Sequence, residues 1–479
     1  MNFKLILRIT GATLLIEAAT MAVPLGVALI YREDPLPFLM AIAVLLCLGL
    51  PLRFLLKSGR AFFAREGFCA VALIWVLLSA FGALPFWFSG QFGSYVDCLF
   101  ETASGFTTTG STILTAIEGL PYGLLFWRSF THWLGGMGVL ILAVALLHSL
   151  GVSSTFLIRA ESPGPIASKL VPKASHSSKI LYTIYLALTV LQTVLLRLAG
   201  LPWYDSLIHA MGTAGTGGFS NRNASVGAYG NPAVEIIITV FMLLFSVNFS
   251  LYFLLLCRKF KQVLKSDELR FFLIVVAAAT VLIAVNIAPM YAGIGETVRT
   301  SAFQVASIIS TSGFATADFN LWPEFSKIVL LILMFIGACA GSTGGGMKCA
   351  RILVLMKTLR REIRTIIHPR AVAVVKLDGE AVPERTLGSI HAFFVAYMVC
   401  LFIAALVVGL DNFTLGTTLT AVVTCLSNVG PGLEAVGPMG NFAAFSPLSK
   451  LMLSLCMIVG RLEIFPMLVL FSRNAWKRS

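Results

Sequence analysis

The sequence predicts an all-α polytopic membrane protein: four helix–short helix–helix (M1–P–M2) repeats preceded by an extra N-terminal helix pair. Three observations predict this fold class. Hydrophobic residues fill 58% of the 479 positions and charged residues only 12%, about half the usual charged share of soluble domains, and mean hydropathy is +0.90. Apolar runs of about 20 residues, long enough to cross a bilayer core, recur along the chain. Between paired runs lie four shorter amphipathic segments, each followed by a small-residue turn that closes on glycine.

The elements follow in order. Residues 1–66 hold the leading pair, spans near 5–30 and 38–56 joined by the turn Arg32-Glu33-Asp34-Pro35. Lys4 and Arg8 before an apolar stretch resemble a signal peptide, but Glu17 interrupts it and every later segment is equally membrane-like, so it reads as a retained helix. Residues 67–178 form repeat 1, with spans near 68–88 and 127–150 around a short helix at 95–106. Ser94, with Asp97 three residues on, marks that short helix's start as a capping-box variant.

Repeat 2, 179–269, has spans near 180–200 and 234–257 around the short helix Asp205 to Ala214. Repeat 3, 270–385, has spans near 271–291 and 326–350 around Thr297 to Ser310. It ends in a basic, helix-compatible stretch, Arg351 to His368, read as a cytoplasmic docking or gating element. Repeat 4, 386–479, has spans near 387–410 and 447–472 around Thr414 to Cys425. The turn glycines Gly110, Gly218, Gly313 and Gly430 are 108, 95 and 117 residues apart, far longer than a solenoid period.

A net charge of +13 invites a nucleic-acid reading, but its placement argues for the lipid bilayer as the partner and against nucleic acid. Most Lys and Arg fall in alternating loops, including Arg53, Lys57, Arg60 and Arg65, Lys169, Lys173 and Lys179, and the cluster Arg258, Lys259, Lys261 and Lys265. That is the positive-inside rule, with both termini cytoplasmic. The nine Cys are scattered without a CxxC or a His cluster and read as small buried hydrophobes.

The short helices carry the functional reading. Ten to twelve residues rise roughly 15–18 Å, half of a core about 30 Å thick. Such a helix enters and returns, and its turn must line water or pack in protein. Its carbonyl end carries about half a negative charge, so four aimed at one point favour a cation, with backbone oxygens replacing its water shell. The ligating triplets would be Thr108-Thr109-Gly110, Thr216-Gly217-Gly218, Thr311-Ser312-Gly313 and Asn428-Val429-Gly430. Acids on the outer side (Asp97, Glu118, Asp318, Asp411, Glu434) would concentrate cations there; ordinary loop solvation is the alternative.

Two further features lie below the turns. Gly341-Ser342-Thr343-Gly344-Gly345-Gly346, ahead of Lys348, should break the second span of repeat 3, because each Gly costs about 1 kcal/mol inside a helix. A flexible intramembrane loop is expected there, a candidate gate. It is no phosphate loop, since Met347 separates Gly346 from Lys348 and an apolar span precedes it. Arg461 sits mid-span, where facing lipid would cost about 2.5–3.5 kcal/mol. Glu463, two positions on, is on the other side of the helix. Arg461 should therefore face the interior, either in the pore, slowing cations, or in a structural pair with Glu17 or another acid.

Together these features resemble the Trk/Ktr/HKT superfamily of potassium transporters, and within it the bacterial Trk-type uptake subunit with its extra helix pair. The resemblance spans essentially the whole chain: the four turns, the break at Gly341–Gly346 and the lone Arg461. It implies four M1–P–M2 units around a pore in the bacterial inner membrane, a homodimer, K+ as the permeating ion, no catalytic cofactor, and control by a cytosolic TrkA-like nucleotide-binding ring. It also implies that Gly110, Gly218, Gly313 and Gly430 carry potassium selectivity, that Gly337 to Lys348 is the intramembrane loop and that Arg461 is the pore arginine. A less selective Na+/K+ channel or symporter of the same fold is the alternative. An enzyme is disfavoured, because HExxH, clustered His and paired intramembrane acids are all missing from the sequence.

Overall fold

A computed structural model describes residues 3–55, 64–136, 138, 174–370 and 373–472. The second half of the span expected at 127–150, and Lys57, Arg60, Lys169 and Lys173, lie outside the described residues. The leading pair is α1 (Phe3–Ile30) and α2 (Leu36–Phe54), packed along each other. The first repeat has α3 (Ala64–Gly82) continued by α4 (Leu84–Phe88), then the short α5 (Tyr95–Phe106) and α6 (Tyr122–Gly136). The second has α7 (Ala174–Leu198), the short α8 (Trp203–Ala214), α9 (Pro232–Ser246) and α10 (Phe249–Leu256). After α11 (Phe260–Leu264) the third has α12 (Asp267–Ile287), the short α13 (Ile294–Ile309), α14 (Glu324–Ile336) and α15 (Cys349–Ile367).

A small antiparallel hairpin, β1 (Lys376–Leu377) with β2 (Glu380–Ala381), pairs Lys376 with Ala381 and Leu377 with Glu380. The fourth repeat has α16 (Glu384–Val408), the short α17 (Leu415–Ser427), α18 (Pro447–Arg461) and α19 (Phe465–Phe471). Short-helix starts follow local chemistry. The Ser94 hydroxyl accepts from the Asp97 N–H at 3.2 Å and donates to its carboxylate at 2.8 Å, an N-cap in which the second capping-box bond is replaced by a side-chain contact. Thr414 does the same service for α17, accepting from the Thr417 N–H at 3.2 Å.

Burial is inverted relative to a water-soluble domain. Ile274 on α12, Val285 on α12 and Leu406 on α16 are 65%, 73% and 77% exposed, whereas Thr107, Ser104, Ser307, Thr213 and Thr424 are fully buried at the centre. Apolar side chains facing outward suit lipid, and the four short helices form the buried interior with the corners that follow them. Among the described residues six helices are long and apolar enough to cross a membrane, and the α9–α10 pair passes the same test across a 92° bend.

That bend corrects the expectation of a continuous second span in repeat 2. The Asn248 side chain accepts from the Ser250 N–H at 2.9 Å, giving the backbone a turn in place of the helical ladder. Repeat 4 is likewise interrupted, with Glu463 and Ile464 at φ +56° and +67° between α18 and α19. Pro466 has no N–H to give and its ring clashes with the preceding turn, so α18 must stop there. The break expected in repeat 3 is present, from Gly337 to Lys348.

Candidate functional site

All four short helices end in the same way. The residue after the turn starts has a left-handed backbone (Thr108, Thr216, Thr311 and Asn428, φ +55°, +56°, +59° and +54°), and so has the glycine two places on (Gly110, Gly218, Gly313 and Gly430, φ +86°, +76°, +74° and +106°). Each corner closes by a Schellman pairing. In the first, Thr108 N–H reaches Gly105 O at 3.1 Å and Thr109 N–H reaches Ser104 O at 2.9 Å; the other three repeat these two bonds. A non-glycine residue held left-handed costs of order 1–3 kcal/mol, so four copies of that strain point to a function.

The corners meet in a closed ring. A Cβ on Gly110 would fall on the carbonyl oxygen of Gly217, one on Gly218 on that of Ser312, and one on Gly313 on that of Val429. One on Gly430 would lie 2.7 Å from the carbonyl oxygen of Thr109, returning to the first corner. All four glycines border one cavity of about 110 Å3. Among the described residues no donor reaches the carbonyls of Thr108, Thr109, Thr216, Gly217, Thr311, Ser312, Asn428 and Val429. Buried carbonyls are almost always paired; these eight, on four corners that meet, are left without a donor from the described chain. The Thr108 hydroxyl and the Asn428 Oδ1 are also buried without a partner.

The glycine-rich loop lies against the inner ends of these corners. The Gly345 N–H donates to the Thr311 hydroxyl at 2.6 Å and the Gly346 N–H to Ser427 O at 2.8 Å. Thr343 and Cys339 donate to Phe245 O and Ser246 O at the α9 bend. Lys348, 4% exposed, turns its ammonium back onto Gly344 O. Arg461 stands beside the loop and bridges it to the first repeat, donating to Thr343 O at 2.7 Å and to Gly135 O and Gly136 O at 2.5 and 2.9 Å. Its partners there are carbonyls and not the carboxylate of Glu17, and Glu463 pairs instead with Arg351.

Supporting residues that the sequence reading missed surround this core. Arg128 and Glu101, 2% and 0% exposed, pair at 2.5 Å. Glu101 also receives the Thr112 hydroxyl and the Ile113 N–H, while Arg128 donates to Ser220 O and stacks 3.7 Å over Phe219. The pair thus ties the first corner to the second. His132 donates from Nδ1 to Gly105 O at 2.8 Å and its ring packs beneath Gly217. Glu268 at the start of α12 accepts from the Ala340 and Ala350 N–H groups at 2.6 and 3.0 Å, clasping both ends of the loop. An acid and a base inside otherwise apolar segments was the available signal for Glu101 and Arg128.

The five outer acids take loop and side-chain partners, as the loop-solvation alternative expects. None borders the cavity, whose charged lining residues are Arg128 and Arg222. Asp97 pairs with Lys450 at 2.6 Å, Glu118 holds Asn223, Asp318 and Asp411 receive loop N–H groups, and Glu434 clamps Thr414 and Thr417. Polar loop groups outcompete the cavity for them because they lie within hydrogen-bond reach.

Comparison with known proteins gives this geometry its family. A family model described as a cation transport protein, TrkH, matches residues 37–478. The chain belongs to the TrkH family. It is 40% identical to the Trk system potassium uptake protein TrkH of Salmonella typhimurium and 39% identical to that of Escherichia coli strain K12, each over the full length of both chains. The crystal structure of the potassium transporter TrkH from Vibrio parahaemolyticus superimposes with a TM-score of 0.89, at 34% identity, covering both chains completely. Membership makes this a helical polytopic membrane transporter and sets it apart from enzymes.

Proposed function

We propose that the chain takes up potassium ions across the bacterial inner membrane, with the four-corner ring as its selectivity filter. The eight bare carbonyls converging from four corners carry this reading. They offer a dehydrated monovalent cation the oxygen shell that water would otherwise provide, and four helix C-termini add negative potential at the same place. The relatives are named potassium uptake proteins. Thr108, Thr109, Gly110, Thr216, Gly217, Gly218, Thr311, Ser312, Gly313, Asn428, Val429 and Gly430 are the proposed ligating backbone.

The loop Gly341–Gly346 with Lys348 is the proposed gate, and Arg461 the cation that pins it across the path. The basic loops face the cytoplasm in this reading, so the short helices enter from outside and both termini lie inside. The membrane potential supplies about 2.3 kcal/mol per charge per 100 mV, enough for roughly 50-fold accumulation of a monovalent cation. A homodimer controlled by a cytosolic TrkA-like nucleotide-binding ring completes the proposal. Purified protein in liposomes with an outward-directed potassium gradient tests it: potassium-selective flux is expected, and its absence in well-folded protein, with and without the cytosolic partner, rejects it.

A further inference from the structure

We propose that Arg351 and Glu463 are the positioning pair that seats Arg461 on the glycine-rich loop, so that α15 and this arginine move together, a role that rests on the gate reading of the loop. Arg351 lies in the first turn of α15, just beyond Lys348. Its guanidinium pairs with the Glu463 carboxylate, stacks 4.1 Å over the Phe393 ring of α16 and reaches back to Met347 O at 3.5 Å. Both side chains are largely buried, where salt screens an ion pair little. The second carboxylate oxygen of Glu463 is buried without a hydrogen-bond partner. Losing Arg351 would therefore leave a buried charge without its ion-pair partner, the costly way to break such a contact.

The backbone around Glu463 carries the contact to Arg461. The Glu463 N–H bonds Gly460 O at 3.1 Å and the Ile464 N–H bonds Val459 O at 2.9 Å, the same Schellman closure as at the four corners. Here the left-handed cap position holds Glu463 in place of glycine, and Ile464 after it is left-handed as well, at φ +56° and +67°. A β-branched residue at positive φ is a genuine outlier, and such strain persists only where the surroundings over-determine it. Arg461 is the last residue of α18, inside the same closed turn. Moving the Glu463 carboxylate with Arg351 thus moves the backbone that aims Arg461 at the Thr343, Gly135 and Gly136 carbonyls. Glu463 also attracts Lys348, whose ammonium sits on Gly344 O, so one carboxylate draws on both cations between the loop and α15.

The test reads basal potassium flux of the full-length chain in liposomes, together with thiol labelling of Ser342→Cys followed by peptide mass spectrometry. Arg351→Gln and Glu463→Gln should each raise both readouts about tenfold, as loss of one charge-assisted contact implies. The double variant should give the same tenfold, because both changes remove one contact. Added to Arg461→Ala, Arg351→Gln should change nothing further. Arg351→Lys keeps the charge and should restore part of the closure. Lys357→Gln, on the same helix but paired with Asp267, should behave as the unaltered chain. A roughly hundredfold effect of the double variant, a further rise on top of Arg461→Ala, or an equal rise in Lys357→Gln would each overturn the positioning role. So would unchanged flux and labelling in folded Arg351→Gln while Arg461→Ala raises both, an outcome that leaves the gate reading standing. If Arg461→Ala raises neither, the gate reading falls and the positioning role falls with it. Should Arg351→Gln not fold, Glu463→Gln alone and combined with Arg461→Ala decides the same point.

Discussion

The ring of corners and the glycine-rich loop beneath it are both non-helical backbone at membrane depth, yet they use their polar groups in opposite ways. In the ring, eight carbonyls accept nothing from the described chain. In the loop, groups are spoken for: Gly341 O by Phe249 N–H, Thr343 O by Arg461, Gly344 O by Lys348 and Gly345 O by Ala338 N–H. Irregular backbone survives in a membrane only when its groups find partners or water. The loop finds them in protein and can therefore be released as a unit. The ring leaves them bare, and its geometry is held from outside by Arg128, Glu101 and His132. Selectivity and gating are thus expected to fail separately.

Gly110→Ser should give the largest effect. A side chain there meets the Gly217 carbonyl at a left-handed φ, a strain of order 1–3 kcal/mol, which corresponds to about 5- to 100-fold in an equilibrium constant. Discrimination of potassium from sodium should drop by that order in liposome flux while the loop's response is unchanged. An unaltered permeability ratio would show that the corner carbonyls do not choose the ion.

Much of the ring was legible because its cause is local. Thr108, Gly110 and their counterparts are fixed by turns, and turns are written in neighbouring residues. The short helices were legible from length alone. The breaks at Asn248 and Glu463–Ile464 were hidden, since one depends on a single side chain competing with the ladder and the other on Pro466 in an apolar run. Partners such as Glu101 with Arg128, or Glu268 with Ala340 and Ala350, join segments 27 to 82 residues apart. No periodicity records such a meeting. The outer acids stayed open between two readings because a carboxylate near a mouth and one capping a loop have the same sequence signature.

Arg461→Ala removes three donors from the Thr343, Gly135 and Gly136 carbonyls. Hydrogen bonds to charged groups are worth about 1.5–3 kcal/mol each, so basal flux should rise tenfold or more with sodium discrimination intact. Reduced flux in folded protein would assign Arg461 to holding the fold.

Glu268→Ala comes next. It strips an acceptor from both ends of the loop, and a rise in basal flux of about tenfold is expected from the loss of one net hydrogen bond to a charged group. Glu268→Gln keeps a carbonyl oxygen at the same reach and should restore most of the closure. Labelling of a cysteine placed at Ser342 reports loop exposure directly. If Ala and Gln variants label alike, the clasp is not what holds the loop.

The smallest effect is expected at Glu434, which lies outside both regions and tests whether the loop around the mouth matters to either. The Thr414 hydroxyl, with further hydrogen bonds from Thr417, holds its carboxyl below the ordinary value despite opposing desolvation. A depressed folded pKa means the stabilisation is complete above the unfolded carboxylate value, about 4.3, and fades as pH falls through the folded one. The group is exposed and caps the first turn of α17, so its contribution should be about 0.3–1 kcal/mol. Glu434→Gln should flatten the acid limb of the melting profile below about pH 4.3 while leaving ion discrimination and basal flux untouched. A change in discrimination instead would mean that the Thr414 cap of α17 is felt at Asn428, just past the other end of that helix, and that the fourth corner is less insulated from its surroundings than the shared Schellman closure implies.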